Sequence, residues 1–170
     1  EFPEDAGMVI LTEQAKADKD IIKKMDKHLR AGKDILITAG FLRAMQGKGI
    51  EKIVDLEYTD RKALVSGFMT GGRVIEVSKP ILMQQVMYKT NDSWEIVSGM
   101  DGGLGWPLLH RDAYSKGNVY LLVVPDNFAD LYNLPVQVLN SIRQNLTQKA
   151  VPVRLQGPAN VSLFIYDNNT

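Results

Sequence analysis

Met8–Met45, MVILTEQAKADKDIIKKMDKHLRAGKDILITAGFLRAM, is the stretch that decides the fold. It holds two short continuous apolar runs, Met8-Val9-Ile10-Leu11-Thr12 and Asp34-Ile35-Leu36-Ile37-Thr38. Both are bounded by glycine or charge, the pattern of strands buried on both faces. Between them Ile21, Ile22, Met25, His28 and Leu29 fall at helical spacing and form one apolar stripe, with Lys23, Lys24, Asp26 and Lys27 on the other side. Asp18 stands where an N-cap is expected, and Gly32 follows the last turn, where a left-handed residue is favoured. The unit reads as βαβ: a right-handed crossover makes the two strands parallel and lays the helix on one sheet face. Phe41–Met45 then opens a second helix, stopped by Gly47-Lys48-Gly49.

Outward from this unit the pattern changes period. Ile53–Tyr58 largely alternates apolar and acidic residues, as a strand with one wet face does. Thr59-Asp60-Arg61-Lys62 reads as a turn into Ala63–Phe68, Gly71-Gly72 breaks the chain before Val74–Val77, and Ile81–Tyr88 is a further extended piece. The section is an antiparallel extension beside the parallel core. Asn91-Asp92-Ser93 either caps a helix or begins a strand around Trp94–Val97, and Met100–Gly105 reads as loop. Val119–Val124 is the most β-prone run and is expected to be a central strand. Asn127–Tyr132 is a helical turn, and Pro135 suits the first position of a helix through Val136, Val138, Leu139, Ile142 and Leu146. After Lys149-Ala150, the segments Val151–Leu155 and Val161–Tyr166 read as a β-hairpin, which buries too little to stand alone. The expected architecture is α/β, a parallel-core sheet flanked by helices, with an antiparallel β extension and a C-terminal β-hairpin. Residues 1–150 form the α/β domain. Residues 151–170 dock on it or begin a truncated β domain.

The composition bounds the function classes. A chain of 170 residues, 45% hydrophobic and 24% charged, is long enough for one good core. Twenty basic residues against twenty acidic ones give no global electrostatic support for a nucleic-acid partner. With no cysteine, disulfides, thiolate metal sites and thiol nucleophiles are excluded. No apolar run approaches the roughly 18 residues of a membrane span. The opening Glu1-Phe2-Pro3-Glu4-Asp5 lacks an initiator Met and a signal-peptide core, so the chain reads as a piece cut from, or processed out of, a larger protein.

The order strand MVILTE, helix ending HLRAGKD, strand ILITAG, then helix resembles the second half of the class I glutamine amidotransferase-like fold, which implies a flavodoxin-like sheet. It is especially similar to the degenerate version found as the trimerisation-type domain of beta-galactosidase-like glycoside hydrolases and in ThuA-like proteins. DAYSKGNVYLLVVPDN and RLQGPANVSLFIYDNN look like later segments of the same hydrolases. The resemblance covers residues 8–46 and 105–168. It implies a bacterial carbohydrate-active parent, a periplasmic or secreted location, and other domains of the same polypeptide or further copies of the chain as partners. It also places Thr38-Ala39-Gly40-Phe41 where active amidotransferases carry a strained nucleophile elbow with its cysteine. Here that turn has no thiol, and the family's His-x-Glu pair is replaced by His110-Arg111-Asp112. The resemblance therefore predicts the fold and argues against the chemistry.

Read on their own, the candidate residues are few. Two histidines, His28 and His110, cannot make a three-ligand zinc site unless a carboxylate joins them, and no spacing supplies one. His28 reads as a packed histidine at the edge of the helix stripe. His110 beside Asp112 is the remaining pair for a small hydrolase. Ser115-Lys116 reads as a β-turn with Gly117 left-handed. Asp101-Gly102-Gly103-Leu104-Gly105 lacks the Lys-Ser/Thr of a phosphate loop, and Asp101 with Asp126 has no cation-ligand spacing. Asp55 and Glu57 fall on one solvated face rather than forming a glycosidase pair with Asp60. Trp94, Trp106 and Tyr114 are the candidate sugar platforms, Trp106 because neighbouring glycines would present it on a loop. The expectation is a non-catalytic structural or assembly domain without cofactor or metal. Its alternatives are a carbohydrate-binding module using Trp106, Trp94, Tyr114 or His110, and the His110–Asp112 hydrolase.

Overall fold

A computed structural model describes residues 2–89, 93–125 and 127–147. The hairpin expected at 151–166 and the residue Asp126 lie outside them. The strands are β1 (Met8–Leu11), β2 (Asp34–Thr38), β3 (Leu56–Thr70), β4 (Arg73–Tyr88), β5 (Ser93–Asp101), β6 (Leu104–Tyr114) and β7 (Gly117–Leu122). The helices are α1 (Ile21–Arg30), α2 (Ala39–Met45) and α3 (Val136–Thr147), with 3-10 turns at Glu13–Ala17, Ile50–Lys52 and Phe128–Asn133. All seven strands make one sheet in the order β1-β2-β7-β6-β5-β3-β4. β1, β2 and β7 run parallel, and every pairing from β7 to β4 is antiparallel.

The parallel half follows from the opening stretch. Asp34–Ile37 are all buried, as a strand covered on both faces must be. α1 turns Ile21, Met25, His28 and Leu29 inward, and each fully buried Leu or Met is worth roughly 1.5–3 kcal/mol of transfer free energy. Asp20, not Asp18, is the N-cap of α1. Asp18 lies two residues earlier, where its carboxylate accepts from the Asp20 N–H at 3.0 Å and pairs with Lys24 at 2.5 Å. Gly32 takes the left-handed φ of +81°. Buried Asp34 accepts from both the main-chain N–H (2.9 Å) and the side-chain amide (3.0 Å) of Asn118, which clamps β2 to β7 at their starts.

The antiparallel half departs from the expected short strands. Thr59–Lys62 is not a turn: β3 runs through it with a bulge between Tyr58 and Lys62. The bulge persists because buried Gln84 satisfies the backbone it frees, its amide donating to the Thr59 and Arg61 carbonyls while the Tyr58 hydroxyl donates to its oxygen at 2.9 Å. Gly71 and Gly72, both at positive φ, close a two-residue hairpin into β4, a single strand that includes Ile81–Tyr88. Met100–Gly105 is likewise not an open loop. Gly102 and Gly103 close a second two-residue hairpin, so Trp94–Val97 is strand and Leu109–Arg111 is its partner. At the β6–β7 turn Ser115, not Gly117, takes the left-handed φ of +54°. Gly117 is needed for space, since a Cβ there would stand 2.1 Å from the Lys33 carbonyl oxygen.

Register sorts the sheet into two faces. One carries the row Leu11–Ile37–Leu121–His110, buried throughout. The missing Cβ of Gly117 would also approach the Leu29 carbonyl at 3.0 Å, so α1 lies on this face. The other face carries the row Ile10–Leu36–Tyr120–Arg111–Trp94, whose two ends are exposed, Ile10 at 63% and Trp94 at 52%.

Candidate functional site

The strand-to-helix turn at the carboxyl end of β2 is the first place to look, because ligands of parallel sheets gather outside those ends. Thr38 sits there in ordinary extended conformation (φ −94°, ψ 160°), and its hydroxyl accepts from the Phe41 N–H at 3.3 Å. This is a helix N-cap, with none of the positive φ that a nucleophile elbow stores. Glu13 lies beside the turn. A Cβ at Gly40 would meet the Glu13 carboxylate at 3.4 Å, and that carboxylate is held by Lys16 (2.8 Å) and Arg43 (3.2 Å). Ala39 and Phe41 are buried behind it. Cavities lie elsewhere: one of about 210 Å³ at the carboxyl end of α1, lined by Phe2, Glu4, Lys27, His28 and Lys33 among others, and one of about 350 Å³ along β1, lined by Met8, Ile10, Leu11, Ala15 and Ile21 among others.

His110 and Asp112 alternate on one face of β6 and come together at 3.5 Å between Nδ1 and Oδ1. His110 has no exposed surface, Asp112 is buried, and the Tyr88 ring tilts over the imidazole at 5.4 Å between centroids. One Asp112 oxygen accepts from the Asp55 N–H at 3.1 Å. Among the described residues, the other oxygen and both His110 nitrogens have no hydrogen-bond partner. Burial pushes the imidazole down to about 4, against the opposing pull of the Asp55 charge. Burial likewise pushes the Asp112 carboxyl up to about 6, with the Asp55 N–H acting against it. Both groups are buried, so the pair is not presented to a substrate.

The aromatic candidates separate. Trp106 is in strand β6, partly buried against the core, and not on a loop. Tyr114 ties the end of β6 to α1: its hydroxyl donates to Asp26 at 2.7 Å, and Arg30 lies over its ring at 5.9 Å. Trp94 alone of the three is exposed, with the Arg111 guanidinium stacked 4.9 Å from its ring centroid. His28 is buried, with the Phe2 ring edge-on at 5.4 Å, and burial lowers its pKa. Ser115 and Lys116 form a turn, Gly102 and Gly103 a hairpin, and Asp55 precedes β3 while Glu57 points to solvent. No group of three potential metal ligands occurs among the described residues, and none of their helices is long and apolar enough to cross a membrane.

Arg111, Glu13 and Arg43 carry no motif, and sequence reading passed over them. A signal existed for the first. Counting outward from Gly102-Gly103 as a two-residue hairpin turn pairs Trp94 with Arg111 and Glu95 with His110, as the register does.

Residues 1–127 match the family described as "Uncharacterized protein SSO3021, second domain". No curated protein matches the chain. Among solved structures, it is similar to the cytoplasmic protein STM3548 from Salmonella typhimurium, at 9% identity and a TM-score of 0.56 over 85% of this chain and 72% of that one. It is similar also to Gan42B, a GH42 beta-galactosidase from G. stearothermophilus, at 11% identity and a TM-score of 0.55 over 84% of this chain and 21% of that one. A beta-galactosidase from the haloarchaeon Halorubrum lacusprofundi aligns at 12% identity, a TM-score of 0.50, and 87% and 23% of the two chains. At such identities the shared property is the fold. The chain spans about a fifth of each of these two galactosidases.

Proposed function

This chain belongs to the family of the second domain of uncharacterized protein SSO3021, and on that premise we propose that it is a non-catalytic accessory domain of a larger carbohydrate-active protein. The turn at Thr38–Phe41 carries the reading. Where an amidotransferase-like skeleton would expose a nucleophile, this chain has a capped helix start flanked by the Glu13–Arg43 pair. The completely buried His110 agrees, because general acid–base work requires reach to a substrate proton. The fold-level likeness to one part of longer glycoside hydrolases supports a role in interdomain packing or assembly. Among the described residues β1 and β4 form the sheet's two edges, and these with exposed Phe128 and Tyr132 offer surfaces for that role.

The test is to assay the purified chain against a panel of p-nitrophenyl glycosides and against glutamine for ammonia release. No turnover above buffer is expected. Turnover that disappears in His110→Ala would overturn the proposal and establish the His110–Asp112 hydrolase in its place. A second reading, carbohydrate binding, is favoured by one observation: Trp94 presents an open aromatic face beside a guanidinium.

A further inference from the structure

The segment that precedes β1 lies as a strap against the last turn of α1 and is held there by few contacts. Phe2 rests edge-on against the buried His28 imidazole, 5.4 Å between ring centroids. The Glu4 carboxylate accepts from Lys27 at 2.7 Å, with both side chains largely exposed, and the Lys33 ammonium donates to the Glu4 carbonyl. An exposed ion pair of this kind contributes little. The strap is also not seated flush: the cavity of about 210 Å³ is lined by Phe2, Glu4 and Asp5 of the strap and by Lys24, Lys27 and His28 of α1. Gly7 joins the strap to β1, where its carbonyl accepts from the Asp34 N–H at 2.9 Å. A Cβ at Gly7 would meet nothing within 4 Å, so nothing around this glycine opposes a bend there.

We propose that the strap is an acid-released latch with His28 as its trigger: protonation of the imidazole releases Phe2, and the segment swings away from α1 about Gly7. An imidazolium needs acceptors for two N–H groups, and among the described residues the buried Nε2 has none. The charged groups around it are Lys24 and Lys27 of α1, Lys33 of the following turn, Glu4 and Asp5 of the strap, and Asp34 of β2. Glu4 is engaged by Lys27 and Asp34 by Asn118, while the open carbonyls of the last helical turn favour a cation only weakly. Burial, with the Lys33 charge adding to it, holds the imidazole below its ordinary 6.5 against the pull of Asp34. Opening restores solvent and the ordinary value, so the open form binds the proton more tightly and falling pH favours it from about 6.5 downward. Glu4 acts in the same sense only at lower pH, because the hydrogen bond and charge of Lys27 hold its carboxyl below the ordinary 4.5. Release also takes the Glu4 partner from Lys27 and Lys33, so acid turns a neutralised helix end into a basic one.

The experiment is NMR of the whole chain from about pH 8 to about pH 5, the range in which histidine titrates, reading the His28 ring shifts together with the nuclear Overhauser contact between the Phe2 and His28 rings. The contact is expected at the upper end and should weaken on acidification, the open-to-closed ratio rising by up to about tenfold per pH unit, the slope of one proton. Phe2→Ala should move the His28 titration up to near its ordinary 6.5, and His28→Leu should keep the Phe2 ring against α1 across the whole range. A Phe2–His28 contact that stays intact throughout, or a His28 that titrates at the same pH in Phe2→Ala as in the parent, would overturn the latch. Acid opening that survives in His28→Leu and disappears in Glu4→Gln would overturn His28 as the trigger and hand that role to Glu4. If His28→Leu does not fold, the Phe2→Ala titration decides by itself.

Discussion

The two halves of the sheet solve the same problem by different means. β1, β2 and β7 are four to six residues long, parallel and largely buried, and their cohesion comes from side chains pressed between sheet and helix together with the Asp34–Asn118 clamp. β3 to β6 are nine to sixteen residues long and antiparallel, with one face turned to water over much of their length and a polar plug, Gln84, where the ladder breaks. The short half has no slack, because its backbones touch at Gly117 with nothing flexible between them. The long half meets its tight point at Gly99 through side chains that move. Rigidity here follows from which atoms are in contact more than from how many strands there are.

The sharpest way to break that contrast is to add one methyl to each half. In Gly117→Ala the new Cβ would stand 2.1 Å from the Lys33 oxygen and 3.0 Å from the Leu29 oxygen, both main chain, so β7 must part from β2 and α1. Denaturant unfolding should show a loss of about 4 kcal/mol or no folded protein. In Gly99→Ala the contacts are Val65 Cγ1 at 2.8 Å and the Met83 sulfur at 2.9 Å, and the flexible methionine yields. The cost there should be about 1–3 kcal/mol. Equal costs would end the distinction.

Next in size is the proton balance on the strand that joins the halves. His110 is held at about 4 against an ordinary 6.5, so it contributes stability that is present above pH 6.5 and lost as pH falls toward 4. Asp112 is held at about 6 against 3.8, so it contributes stability that is present below pH 3.8 and lost as pH rises through 6. Between pH 4 and 6 the two slopes oppose and nearly cancel in the parent. Asp112→Asn leaves the histidine uncompensated: relative to the parent, stability should fall by about 3 kcal/mol as pH is lowered from 6.5 to 4. His110→Gln leaves the carboxyl, and stability should rise by about 3 kcal/mol from pH 6 to 4. Urea melts across that range read both, and parallel slopes in the two variants would show that the groups do not titrate as separate buried sites.

The smallest effect belongs to the wet face of the ribbon. Leu64 and Leu82 are directly opposite each other on β3 and β4 and are both exposed. Leu82→Ser should change stability by no more than about 0.5 kcal/mol. A loss above about 2 kcal/mol would mean that this face is covered in solution, in which case the melting temperature should also depend on concentration.

Much of the parallel half was legible in the residues, because continuous apolar runs and a 3.6-residue stripe are local signals that packing reinforces. The four-stranded extension was legible as antiparallel, and its lengths were not. Thr59–Lys62 has the polarity of a turn, and what keeps it in a strand is Gln84, more than twenty residues away. Gly102-Gly103 looked like a loose loop because its neighbours Gly99 and Gly105 dilute the hairpin signal. Gly99 is glycine for another reason, the approach of Val65 and Met83 from β3 and β4.

The sequence by itself determined the fold class and the absence of any thiol, since each depends on residue types and local periodicity alone. Tertiary structure decided what those residues amount to. It alone placed Glu13 and Arg43 beside the Thr38 turn, sank His110 beneath Tyr88, tied Tyr114 to Asp26, and left Trp94 exposed beside Arg111. The physical reason is common to all four. Accessibility and charge balance are set by neighbours brought together across the sheet, and strand register, which places those neighbours, is fixed by turns and bulges that local sequence marks only in part.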